Sequence, residues 1–154
     1  NLLVCLVCQR LVPMLCQHCA VPVLQTATLA ASIPRWREVF GADMTSLKTR
    51  GQSCACCQGL GVSGRSVVAE VVWVDDAGRG FISRGDVFGW QQYLKEQGWT
   101  TYEDQLLEKV RAGLCDPLDA EKLVGQISIQ MGQERFDYRK EEATSGVSEI
   151  VRHA

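Results

Sequence analysis

Two Cys-x-x-Cys pairs, Cys16/Cys19 and Cys54/Cys57, constrain this chain more than any other feature, with 34 residues lying between them. Four thiolates presented from two tight turns are what a tetrahedral zinc ion requires. Two residues between ligands let one turn supply both sulfurs, each about 2.3 Å from the metal, without backbone strain. Gly59, Gly61 and Gly64 follow the second pair. They allow the chain to turn back with positive φ and bring backbone N–H groups toward sulfur. The eight cysteines also admit a disulfide framework. Such scaffolds are usually shorter, loop-rich and secreted, and adjacent Cys-x-x-Cys pairs favour metal. A thiolate metal site in turn implies a reducing, cytoplasmic compartment.

The remaining candidates are weaker. His18 lies inside the first turn and would substitute for a sulfur, but the cysteines on either side of it fit better. His153 falls in the C-terminal tail. Cys5 and Cys8 form a third Cys-x-x-Cys in an apolar run without turn residues, so they read as small buried hydrophobes. Cys56 is a spare thiol and an alternative to Cys57, although the Cys54/Cys57 register is preferred; Cys115 is isolated at a helix boundary. A redox-active pair would need a strand–helix context that lowers the thiol pKa, and neither pair directly precedes a convincing helix. No catalytic triad or carboxylate dyad can be assembled. The stretch Gly59–Gly64 has the spacing of a dinucleotide fingerprint but resembles one only superficially: it follows a cysteine turn and leads into a strand rather than a helix. There is no P-loop pattern.

The chain is 46% hydrophobic and 22% charged, a globular composition. A net charge of −2 with acid and base interspersed argues against a nucleic-acid partner. Residues 1–16 are apolar except for Asn1, Gln9 and Arg10, which is the wrong order for a signal peptide. No run is long enough for a membrane helix. The start reads as a cut into a larger protein.

Residues 2–8 read as the end of a buried helix, and Leu11–Leu15 as a short strand delivering Cys16 to its turn. Between the cysteine pairs, Pro34 marks a first helical turn. Ile33, Trp36 and Phe40 keep helical spacing, and Gly41 supplies a left-handed stop. Val67–Val74 reads as a well-buried strand ended by a turn at Asp75, Asp76 and Gly78. Helices follow up to about Met131. One is capped by Asp86, carries Val87, Trp90 and Leu94 and closes at Gly98. A second starts at a Thr101/Asp104 capping box, carries Leu106, Leu107 and Val110 and stops at Gly113. A third starts at Asp116-Pro117 with Leu118, Leu123, Val124 and Ile127 inward. Together they predict a small helical bundle. The charge-rich stretch 134–142 reads as a solvated tail.

Several of these segments carry a family resemblance. Gln9-Arg10-Leu11-Val12 followed by Cys16-Gln17-His18-Cys19 resembles a stretch of the traffic ATPases that drive type II secretion and type IV pilus assembly. Cys54 to Arg65 is similar to that family's second cysteine motif, with Leu60 and Val62 in place of the usual Thr and Tyr. The strand Ser66–Val74 with Asp75-Asp76 corresponds to the segment that follows it. Gly98-Trp99-Thr100-Thr101, Asp104, Lys109 and Gly113 resemble a downstream pattern. The likeness runs in order to about residue 127. It implies a homo-hexameric, Mg2+-dependent cytoplasmic ATPase, peripheral to the inner membrane, that engages a platform protein. The family's P-loop lies upstream of the Gln9-Arg10 segment, so this chain alone would bind no ATP and hydrolyse none. Arg10 and Arg65 are motif positions read as structural salt bridges.

The fold class expected is therefore α+β, mostly helical. Residues 1–15 would end a RecA-like core, 16–64 form a tetracysteine zinc subdomain, 65–131 a strand with a helical subdomain, and 132–154 the charged tail. The metal ligands would be Cys16, Cys19, Cys54 and Cys57, around a structural zinc with no open position for water. The alternative class is a stand-alone zinc-binding interaction module. Residues 54–61 fit the Cys-x-x-Cys-x-Gly-x-Gly repeat of J-domain co-chaperones, but those proteins carry four such repeats and this chain one.

Overall fold

A long antiparallel ribbon organises the structure, a computed structural model that describes residues 3–52 and 54–129. Strand β1 (Cys5–Leu15) pairs with β4 (Val62–Trp73), from Cys5 opposite Trp73 to Leu15 opposite Val62, with a register shift between Pro13 and Leu15. The expected helix end at 2–8 is replaced, from Cys5 onward, by this strand. Its apolar run is stabilised in extended form by the ladder to β4, rich in β-branched residues. Two short strands, β2 (Val21–Pro22) and β3 (Lys48–Thr49), form a second antiparallel pair.

Helix α1 (Ile33–Phe40) lies between those two short strands, with Pro34 in its first turn and Gly41 at φ 53° ending it, as the sequence predicts. Beyond the ribbon come α2 (Asp76–Arg84), α3 (Val87–Glu96), α4 (Tyr102–Arg111) and α5 (Pro117–Val124). The architecture is α+β. Among the described residues no helix is long and apolar enough to cross a membrane.

Only one face of the ribbon is covered. Val12 and Val68 point inward and meet Leu106 and Val110 of α4, Trp36 and Phe40 of α1, and Val124 and Ile127 of the C-terminal segment in one continuous core. Residues of the segments 1–15, 16–64 and 65–131 all contribute to it. Gln105 of α4 completes the edge of β4: its Oε1 accepts from the Ala69 N–H at 3.2 Å and its Nε2 donates to the Ala69 carbonyl. One side-chain amide thereby satisfies both backbone groups of a strand residue. On the other face Val7, Leu11, Val67, Val71 and Trp73 are exposed, Trp73 at 69%. The strand over Val67–Val74 is thus half-buried, because a two-stranded ribbon covered on one side buries only alternate residues.

Three helical expectations change. Asp75 does not make a simple turn after the strand; its Oδ1 accepts from the Gly78 N–H at 2.7 Å and caps α2. The glycines at 78 and 80 conceal this helix in the sequence. Helix α3 forms behind its Asp86 cap, but none of its residues is buried and Val87 is exposed. Leu118 of α5 faces solvent, whereas Val124 and Ile127 are in the core. The helices do not share one interface: α4 and α5 pack against the strands, while α2 and α3 pack against each other. The Thr101/Asp104 capping box is present, with both reciprocal hydrogen bonds made. The charge-rich stretch 134–142 lies outside the described residues.

Candidate metal centre

Each cysteine pair sits where the ribbon hands the chain to a turn. Cys16 follows Leu15 at the end of β1, and the amides of Cys19 and Ala20 fold back onto the Cys16 carbonyl at 3.2 and 2.9 Å. Cys54 to Cys57 form a single 3-10 turn, and Gln58 (φ 52°) and Gly59 (φ 85°) then reverse the chain into β4. The Cys16 N–H donates to the Gly61 carbonyl at 3.0 Å and so joins the two turns.

The result brings the sulfurs of Cys16, Cys19, Cys54 and Cys57 within 4.8 Å of one another. Cys16 and Cys54 are 3.7 Å apart, Cys19 and Cys57 3.7 Å, and Cys54 and Cys57 3.5 Å. These separations far exceed the roughly 2.05 Å of a disulfide. They match the edge of a tetrahedron, about 3.8 Å, that four sulfurs form around an ion at about 2.3 Å. The donor set and its spacing therefore fit a metal held by four thiolates. His18 is exposed on the first turn and lies outside this cluster.

The thiols are not equivalent. Burial, reinforced by the neighbouring sulfurs of Cys54, Cys57 and Cys16, pushes Cys19 up to about 12. Backbone hydrogen bonding at Cys54 and from the Gly61 N–H, 3.3 Å from Sγ, outweighs burial and holds Cys57 down at about 6. Of the four, Cys57 is the sulfur whose surroundings favour the thiolate, the form in which sulfur binds metal. Cys56 points outward, its thiol pushed up by local desolvation and then by the charges of Cys54 and Cys16. Cys115 is fully buried, and burial first, with Asp119 and Asp116 behind it, pushes its thiol up to about 12. Cys5 and Cys8 sit three apart on a strand, so they fall on opposite faces and cannot grip one ion.

Two supports of the cluster are invisible in the sequence. Gly51 runs so close to the first turn that a Cβ there would lie 1.6 Å from the Cys19 carbonyl oxygen. Asp116, 3% exposed, accepts from the Thr49 hydroxyl at 2.6 Å and the Arg50 N–H at 2.9 Å, and so ties the approach to Cys54 to the start of α5. Neither Arg10 nor Arg65 makes an ion pair among the described residues. Arg10 instead lies over the Tyr102 ring, 5.7 Å from its centroid.

An α+β domain built on a ribbon whose end is gathered by four cysteines defines a tetracysteine class of protein, with a cluster that could hold a metal ion. The chain belongs to the family described as type II/IV secretion system protein, whose family model matches residues 1–142. That match extends past residue 127, where the motif likeness ends. No curated protein matches the chain.

Proposed function

We propose that this chain is the tetracysteine-bearing part of an ATPase that powers type II secretion or type IV pilus assembly. Its four cysteines would hold a structural zinc. The observation that carries the reading is the pairing of family membership with a closed four-sulfur cluster at the end of the ribbon. Four protein ligands leave no position for a reacting water, so the metal would hold the two turns together rather than catalyse. The uncovered apolar face formed by Val7, Leu11, Val67, Val71 and Trp73 supports placing the ribbon at the edge of a RecA-like core, whose remaining elements would cover it. ATP and Mg2+ would bind that core, the whole enzyme would be a homo-hexamer, and the metal-bearing lobe would face an inner-membrane platform protein. Family membership favours this over a stand-alone co-chaperone-like zinc module.

The test has two parts. Elemental analysis of reduced protein should give one zinc per chain, with four of the eight thiols shielded from a thiol reagent. The gene product that includes the upstream coding sequence should hydrolyse ATP in a Mg2+-dependent way, and the chain alone should not. Absence of a P-loop upstream would sink the ATPase reading and leave the zinc module.

A further inference from the structure

The segment Thr49–Gly51 touches the cysteine cluster on one side and α5 on the other. Gly51 lies against the Cys19 carbonyl, and a Cβ on Gly61 would fall 3.0 Å from the Cβ of Arg50. On the far side, Thr49 and the Arg50 backbone hold Asp116, which also caps α5 by accepting from the Leu118 N–H at 2.9 Å. The Arg50 guanidinium reaches Asp119, one turn into α5, with Nε at 3.1 Å and a second nitrogen alongside. Asp119 is 5% exposed, and Lys122 meets its other oxygen at 2.8 Å. Two buried carboxylates of one helix turn thus depend on a single short segment whose backbone is placed by its pairing with β2, directly after the first cysteine turn, and by the close approach of Gly51 to Cys19. If that segment shifts, both carboxylates lose a partner while still buried, a costly arrangement.

From this continuity we infer that the metal centre controls α5: metal in the four-cysteine cluster fixes Thr49–Gly51, and that segment orders the first turn of α5 through Asp116 and Asp119. The inference rests on the metal reading above and adds its output. The opposite side of α5 is held independently, by Glu121 accepting from Arg35, the Trp36 indole and the Ile127 N–H. Metal loss therefore loosens the start of α5 before it loosens α1. By linkage, anything that binds and orders α5 tightens the metal site by the same factor.

The experiment is hydrogen exchange on the whole chain, zinc-loaded and after chelation, with bound zinc quantified in each sample. Peptides covering α5 and α1 are followed in the wild type and in Asp119→Asn, which is nearly isosteric and is not a metal ligand. Removing zinc should lower protection at the start of α5 by about tenfold or more and that of α1 by much less. Asp119→Asn should keep its zinc but show an α5 whose protection follows the metal less steeply, because only the Asp116 contacts then carry the coupling. The coupling is wrong if wild-type α5 ignores zinc removal, if α1 and α5 lose protection by the same factor, or if Asp119→Asn keeps the full response. A chain that takes up no zinc overturns the metal reading and the coupling together; one that binds zinc without an α5 response overturns the coupling alone.

Discussion

Replacing Gly51 with alanine should disable the metal centre without touching a ligand. The added methyl would sit 1.6 Å from the Cys19 carbonyl oxygen, whereas real Cβ atoms essentially never approach another heavy atom closer than 3.0 Å. The backbone of Gly51 or of Cys19 must therefore retreat by the difference, about 1.4 Å. Metal–ligand distances tolerate about 0.2 Å, so a shift of this size carries the Cys19 sulfur off the tetrahedron or opens the contact between the turns. Disrupting the shell around a metal typically lowers affinity by about 10- to 100-fold, and displacing a ligand's own backbone should reach the upper end, about 2.7 kcal/mol. Overpacking in the metal-free protein adds roughly 1–3 kcal/mol. Competition against a chromogenic chelator reads the first effect, and thermal melting of the metal-free protein reads the second. Gly64→Ala is the control: its φ is 79°, yet nothing lies within 4 Å of the added Cβ, so it suffers backbone strain alone. If Gly51→Ala binds zinc as tightly as the wild type, the close approach at Cys19 does not govern the site.

Three further outcomes follow from the contacts. Cys54→Ser should abolish zinc retention, whereas Cys56→Ser, which alters a thiol pointing to solvent, should leave it intact; equal losses would mean that the second turn binds in another register. Glu121→Ala should destabilise the fold by roughly 2–3 kcal/mol in urea unfolding, because one carboxylate oxygen serves Arg35, the Trp36 indole and the Ile127 N–H, and its loss strands buried donors. Tyr93 donates to Asp75 at 2.5 Å. That bond, followed by the Gly78 N–H, holds the Asp75 carboxyl below its usual range, while the bond to Asp75 and then burial raise Tyr93. The Asp75 contribution is present above the unfolded carboxylate pKa of about 3.9 and is lost as pH falls through the lowered folded value. The Tyr93 contribution is present below about 10 and is lost as pH rises through the raised folded value. Tyr93→Phe should therefore flatten the melting curve against pH at both ends, and an unchanged profile would remove the bond from the account.

The parts legible in the sequence were those with local signals. The cysteine spacing, the Thr101/Asp104 box, the helix opened by Pro34 and closed by Gly41, and the Asp116-Pro117 start each depend on a few neighbouring residues, and each formed. What was hidden depended on partners far along the chain. Residues 2–8 carry the same apolar run whether helical or extended, and only the ladder to β4 decides. The degree of burial of Val67–Val74 depends on what covers the second face of the ribbon, which no local pattern encodes. Helix α2 was missed because two glycines mask a nine-residue helix fixed by the Asp75 cap and by packing on α3. Gly51 and Arg50 look unremarkable in sequence, since their importance lies in the approach of Cys19 and of Asp119, 32 and 69 positions away.

The position of the cysteines on the ribbon explains what a metal would do there. An isolated two-stranded ribbon is marginal in water, and this one runs eleven residues in β1 with helices on only one face. Its strands are not joined by a tight turn but by the whole segment from Cys16 to Gly61, which carries α1, β2 and β3. Closing so long a connection is entropically unfavourable. The cysteines that face each other across the cluster are 38 positions apart, and a covalent cross-link over that span would contribute about 4 kcal/mol by constraining the unfolded chain. A metal held by both turns imposes a similar constraint at the point where β1 ends and β4 begins. Its removal should therefore fray the ribbon from the Leu15/Val62 end. The Cys5/Trp73 end, already exposed, should exchange at an unchanged rate. Amide exchange along β1 and β4, compared with and without chelator, measures the gradient directly. Fraying that starts instead at Cys5 and Trp73 would mean that the core contacts of Val12 and Val68, rather than the cysteine cluster, hold the strands together at the turn.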